Sequence, residues 1–91
     1  MNRFELFDKL IVLEKLIRQK RTGTPNELAQ RLSISRSTLY RIIDELNSCG
    51  TDIKFCRTGN SFYYNNDVTI DIHVAIKPVA EIDNHEKLKN S

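Results

Sequence analysis

The stretch LAQRLSISRSTLYR, residues 28–41, holds two helical apolar patterns with three residues between them. Leu28, Ala29 and Leu32 follow a helical period and stop; Leu39 and Ile42 resume one after Ser33-Ile34-Ser35. No Gly or Pro stands at the break, so the usual punctuation of a chain reversal is missing. Ser35 is a favourable N-cap, and Ile34 is the one apolar residue between the two patterns. The stretch reads as two short helices meeting at an angle, with Ile34 plugged beneath the turn and Ser35 starting the second helix.

Working outward, the first of these helices is expected over 24–32. Thr24 caps it, Pro25 takes the first helical position and Glu27 completes a capping box. The second is expected over 35–49, with Leu39, Ile42, Ile43 and Leu46 inward and Gly50 as its stop. Upstream, residues 2–20 predict a longer helix. Asn2 and Glu5 form a capping box, and Leu6, Leu10, Leu13 and Ile17 share one face. Phe4, Phe7, Ile11 and Leu16 widen that face, so the helix is expected to be covered on more than one side. Arg18 to Arg21 make its last turn basic, and Thr22-Gly23 is expected to end it.

Downstream of Gly50 the period changes. Asp52–Arg57 and Ser61–Tyr64, separated by Thr58-Gly59-Asn60, predict a hairpin over 52–64. Asn65-Asn66-Asp67 reads as a turn. Val68, Ile70, Ile72, Val74 and Ile76 then alternate with smaller or polar residues, which predicts an extra strand over 68–76 ending at Lys77-Pro78. The expected organisation is one α+β domain over 1–80 and a flexible polar tail over 81–91.

Composition narrows the function. With 91 residues the chain can bury one modest core. No apolar run approaches the ~20 residues of a membrane span, and MNRFELFDKL is no signal peptide, so a cytoplasmic protein is expected. Cys49 and Cys56 are the only cysteines; with His73 and His85 far away they do not make a zinc set, and they are expected to be packing thiols. No nucleophile, phosphate loop or carboxylate pair has a catalytic context, so neither enzyme activity nor a cofactor is expected. The net charge of +2 is uneven: residues 15–60 carry nine bases against four acids, between mildly acidic ends. A basic middle suggests a polyanionic partner.

The order of three helices and a hairpin, with TPNELAQRLSISRSTLYRIIDEL at 24–46 and DIKFCRTGNSFYY at 52–64, resembles the winged helix-turn-helix DNA-binding domains. It is most similar to the DeoR-type and biotin-repressor-type N-terminal domains. The resemblance covers about residues 8–64 and rests on apolar residues at Leu28, Leu32, Ile34, Leu39 and Ile42 with small Ala29 where the helices approach. Two positions depart from it. Ser33 stands where the family often has Gly, so a different turn geometry is expected; Ile42 stands where DeoR-type sequences favour an acid.

The resemblance implies a small bacterial-type transcriptional regulator that binds double-stranded DNA, with helix 35–49 in the major groove. Ser37, Tyr40, Arg41, Asp44 and Ser48 lie opposite that helix's core face; Arg36 flanks them and Thr38 lies on the other side. Arg36, Ser37, Tyr40 and Arg41 are then candidate readers of base edges or phosphates. N–H groups over Thr24–Glu27 and Ser35–Thr38 are candidate phosphate donors. Lys54, Arg57 and Asn60 place the wing on the backbone or in the minor groove. For Arg41 the alternative is an ion pair with Asp44 or Glu45 on its own helix.

Related regulators carry a sensor domain for which 91 residues leave no room, so either the chain senses nothing itself or a partner does the sensing, and no small-molecule effector is evident. A single reading unit suggests a homodimer built on Phe4, Phe7 and strand 68–76; the alternative is that this strand packs on the first helix of its own chain. A winged-helix protein–protein adaptor and a DNA-binding accessory factor of a mobile element are the competing functions.

Overall fold

The computed structural model describes residues 1–72. The elements run α1 (Arg3–Gln19), α2 (Pro25–Arg31), α3 (Arg36–Ser48), β1 (Ile53–Cys56) and β2 (Ser61–Tyr64). The strands form an antiparallel hairpin in which Ile53 pairs with Tyr64 and Cys56 with Ser61. This is the winged-helix order, three helices followed by a hairpin, as the pattern of residues predicts.

Each helix starts on the expected cap. Asn2 Oδ1 accepts from the Glu5 N–H at 2.8 Å while Glu5 Oε1 accepts from the Asn2 N–H at 2.9 Å. Thr24 and Glu27 make the same reciprocal pair at 3.1 and 2.8 Å. Ser35 Oγ accepts from the Thr38 N–H at 3.1 Å. These contacts satisfy donors that a helix start leaves without intrahelical partners.

The helix ends are less legible. α1 ends where its span over 2–20 predicts, but the residue that stops it is Lys20 (φ 57°) and not Thr22-Gly23. The Lys20 N–H reaches the Ile17 carbonyl and the Arg21 N–H reaches that of Leu16, which closes the helix. Thr22 then leaves the helix for a buried position against β2. Gly23 sits at φ 72°, and a Cβ there would lie 2.6 Å from Glu27 Oε1, the carboxylate that caps α2. Glycine is favoured there by conformation, and a side chain would displace the capping carboxylate.

α2 ends in the same way at the quoted stretch. Ser33 takes φ 57°, the left-handed conformation that glycine would supply at that position. The Ser33 N–H binds the Gln30 carbonyl and the Ile34 N–H binds the Ala29 carbonyl, each at 3.0 Å. Serine therefore adopts the left-handed conformation itself, where another turn geometry was expected. Two backbone hydrogen bonds and the packing of Ile34 against the core hold serine in a conformation that disfavours a Cβ. Lys9 of α1 also reaches this turn, donating from Nζ to the Leu32 carbonyl at 2.7 Å.

Leu13, Ile17, Leu28 and Leu39 are the largest fully buried side chains. Ala29, Leu32, Ile42, Ile43, Ile53 and Phe62 complete the core, and Leu6, Leu10, Ile34 and Leu46 flank it. The core thus lies where the three helices and the hairpin converge. α1 is not covered on every side among the described residues: Phe4 is 84% exposed, and Ile11 and Val12 are also open.

The strand expected over 68–76 is not formed in its described part. Residues 68–72 belong to no ladder. The chain bends at 65–67, the Asn66 side chain binds the Gly50 carbonyl, and Thr69–Ile72 run beside Ile11, Glu14 and Arg18 of α1. The Tyr64 hydroxyl fixes this path, donating to Glu14 Oε2 and accepting from the Ile70 N–H, both at 3.3 Å. Burial raises the Tyr64 pKa above its ordinary value, and the Glu14 carboxylate adds to the effect. Alternation supplies a suitable face, but a strand also needs a backbone partner, and here the neighbour is a helix. Residues 73–76, His73, His85, Lys77-Pro78 and the tail 81–91 lie outside the described residues. Among the described residues no helix is long and apolar enough to cross a membrane.

The left-handed turn is directly testable. A Cβ at such a φ costs roughly 1–2 kcal/mol, partly offset because glycine adds unfolded-state entropy. Ser33→Gly is expected to unfold at an equal or higher urea midpoint than the parent, and Ser33→Val at a lower one. The opposite order would show that the position does not demand a positive φ.

Candidate nucleic-acid interface

The outer surface of α3 is set by its burial pattern. Leu39, Ile42 and Ile43 turn inward, which leaves Arg36, Ser37, Tyr40, Arg41 and Asp44 exposed. The Schellman-type turn at Ser33 and the Ser35 cap fix where this surface begins. The structure divides it into two sides.

Arg36 and Tyr40 lie toward α2 and the wing. The Arg36 guanidinium sits over the Tyr40 ring, 5.5 Å from its centroid, and its Nη1 donates to Asn26 Oδ1 of α2 at 3.5 Å. The Tyr40 ring meets Phe62 of β2 edge-on at 6.4 Å, and Phe62 meets Phe55 of β1 at 5.2 Å. Arg41 and Thr38 lie on the other side, in a groove they share with Met1, Leu6 and Leu10 of the chain's beginning. Arg41 makes no ion pair with Asp44 or Glu45, so the alternative role for it is not realised among the described residues.

The hydroxyl groups at the helix starts are mostly engaged. Ser35 Oγ donates to Thr38 Oγ1 at 2.8 Å while capping α3, and lies 3.3 Å from Ser37 Oγ. Thr24 Oγ1 caps α2, and the Thr24 and Glu27 N–H groups are bonded within the capping box. Pro25 has no N–H, so the start of α2 has few backbone donors left for an anion.

The wing carries Lys54, Arg57 and Asn60 on its exposed side. Lys54 makes a long ion pair of 3.8 Å with Asp52, both partly exposed, a contact that contributes little. Arg57 and Asn60 bracket the turn: Asn60 takes φ 53° and its N–H binds the Arg57 carbonyl at 3.2 Å. Arg57, expected at the end of a strand, belongs to this turn instead, because the ladder closes at Cys56–Ser61.

Besides the Tyr64–Glu14 hydrogen bond, two further polar ties hold the wing in place, and neither was evident from the sequence. Thr22 and Ser61 are buried at 2% and 3% exposure. Ser61 Oγ accepts from the Thr22 N–H at 3.1 Å, and Thr22 Oγ1 accepts from the Phe62 N–H at 2.8 Å. The Thr22 side chain thus does for β2 what a third strand would do with its backbone. At the other end, Asn47 of α3 brackets Ile53, accepting from its N–H at 2.8 Å and donating to its carbonyl at 3.2 Å. Hydroxyl and amide residues carry no periodic signal, and partners 39 positions apart cannot be paired from local pattern.

The arrangement offers a projecting helix start with flat and hydroxyl-bearing side chains, flanked by a basic wing tip. No group of three or more metal-ligating side chains occurs among the described residues. The sequence model of a family described as HTH domain matches residues 9–56, just over half of the 91 residues. That span runs from within α1 to the end of β1. Comparison with curated proteins and with solved structures gives no match.

The Thr22 tie predicts a measurable cost. Thr22→Val removes the acceptor for the Phe62 N–H and leaves a buried donor unpaired, which costs about 1–3 kcal/mol. Thr22→Ser keeps the hydroxyl and is expected to lose less in a chemical denaturation. Equal losses for Ser and Val would show that packing, not the hydrogen bond, matters there.

Proposed function

The chain belongs to the helix-turn-helix DNA-binding domains, and from that premise we propose that it is a transcriptional regulator recognising specific double-stranded DNA. α3 enters the major groove, with Arg36, Ser37 and Arg41 facing base edges or phosphates, while Tyr40 packs between Arg36 and the wing. Lys54, Arg57 and Asn60 set the wing on the flanking backbone. Thr24, Ser35 and Thr38 lie at the two helix starts, where their main contribution is to hold those starts in place. The observation that carries this reading is the exposed face over the first two turns of α3, where Arg36 and Arg41 stand with no ion-pair partner among the described residues. A cytoplasmic location follows from the DNA partner. Regulation here is occupancy of a site, with no chemical step.

A single α3 reads few base pairs, so we assign two copies to one site, each reading a half-site. The exposed Phe4, Ile11 and Val12 of α1 and Val68 beyond β2 support this pairing surface. Phe7 is half-buried and adds less to it than the sequence pattern suggests. Sedimentation at high micromolar concentration is expected to give a dimer, which Phe4→Glu weakens; a monomer throughout would remove the dimer from the reading.

Binding to duplex DNA is expected to fall linearly in log K against log salt for the parent chain, as phosphate contacts release counterions. Arg36→Ala/Arg41→Ala is expected to bind more weakly at every salt. Absence of salt-dependent binding, even to a library of random duplexes, would favour the protein–protein adaptor. A double variant that binds as well as the parent would move the interface away from α3. Whether a DNA-binding chain serves transcription or a mobile element is decided by mapping its bound sites in cells.

A further inference from the structure

Tyr40 touches both halves of the proposed interface. The face of its ring carries the Arg36 guanidinium, 5.5 Å from the centroid. A T-shaped contact joins it to Phe62, at 6.4 Å between centroids and 69° between planes. Phe62 is 2% exposed, is packed against Phe55, and has its N–H held by Thr22 Oγ1. Tyr40 therefore leans on a fixed part of the wing. Its hydroxyl makes no hydrogen bond among the described residues, so aromatic contacts and not polar ones set the ring.

Arg36 is held on a second side by Asn26, through Nη1 at 3.5 Å. Its Nε and Nη2 have no hydrogen-bond partner among the described residues. A planar guanidinium with a donor edge open is the group that binds guanine O6 and N7 with two hydrogen bonds. A long side chain finds that geometry more readily when already held in it. Asn26 and Tyr40 together hold Arg36 at the very first turn of α3, where a major-groove helix meets base edges.

Building on the DNA-binding reading, we infer that Tyr40 is the positioning residue for Arg36. It holds the guanidinium to read one guanine, in register with the wing, and its own hydroxyl reads nothing. Wing and base-reading arginine then act as one unit joined by the Phe62–Tyr40–Arg36 contacts.

The test uses the full chain and a duplex selected from a random library, with a scrambled duplex beside it. Tyr40→Phe is expected to bind both as the parent does. Tyr40→Leu and Tyr40→Met, two independent ways to remove the ring, are expected to lose on the order of 10-fold on the selected duplex and little on the scrambled one. Arg36→Ala is expected to lose as much or more, and adding Tyr40→Leu to it to cost nothing further. In the free protein, the Arg36 side-chain proton resonances are expected to be ring-shifted in the parent and in Tyr40→Phe, and not in Tyr40→Leu. Replacing one guanine of the selected duplex by 7-deazaguanine is expected to weaken the parent and leave Arg36→Ala unaffected; this arm needs no change at Tyr40. The inference is overturned if Tyr40→Phe loses as much as Tyr40→Leu, if the Tyr40 and Arg36 losses multiply, or if both duplexes weaken alike, as a phosphate contact would require. A parent chain that binds no duplex overturns the DNA-binding reading and this inference together. Binding with multiplying losses overturns this inference alone.

Discussion

The turn at Ser33-Ile34 is the constraint on which the other features depend. Two backbone hydrogen bonds, from Ser33 and Ile34 to the last turn of α2, reverse the chain within three residues. Ile34 packs toward the core and Ser35 opens α3, so the turn sets where α3 begins. Lys9 reinforces the reversal from α1 through the Leu32 carbonyl. A serine in the left-handed conformation is tolerated because packing on both sides outweighs a local strain of about 1–2 kcal/mol. Without this turn Arg36 would have no defined place relative to Asn26, and α3 no defined outer face.

The wing depends on a different kind of tie. An isolated two-stranded hairpin is marginal in water, so it needs a surface to lie on. Ile53 and Phe62 supply the apolar part of that contact. The buried Thr22–Ser61 pair and the Asn47 bracket supply the directional part, since each matches donors to acceptors in one register only. Apolar burial alone would permit small slips of the hairpin across α1 and α3, whereas a misplaced hydroxyl pair would leave buried groups unpaired. Register and position of the wing therefore follow from polar residues, although its adhesion comes mostly from apolar ones.

Electrostatics and structure are kept apart on this surface. Ser35, Thr24 and Glu27 are occupied in capping, which leaves the arginines and Ser37 as the projecting groups. Arg36 is held by an aromatic face and an amide, neither of which cancels its charge. A carboxylate partner would hold it more tightly but would compete with a phosphate or a base for the same donors. Asp44, one turn further along the exposed face, carries the opposite sign. Attraction for a polyanion is thereby concentrated at the first two turns of α3 and at the wing tip.

Three helices, their N-caps, the hairpin and most of the core were legible in the sequence, because caps and apolar periods are local signals. Leu13, Leu28 and Leu39 lie on inward stripes that the residues alone define, and Asn2, Thr24 and Ser35 cap as their side-chain chemistry dictates. The candidate interface was legible as a set of exposed residues on one helix and one turn. Tertiary structure decided what each member touches: Tyr40 and Arg36 toward the wing and α2, Arg41 and Thr38 toward the start of α1. It also decided that Ser33 adopts a glycine-like φ, and that residues 68–72 lie beside a helix and not in a sheet. The physical reason is common to all of these. A period or a cap is determined by neighbours a few residues apart. A helix end, a buried hydroxyl pair or a strand's partner is determined by groups far along the chain, whose positions exist only once the core has formed.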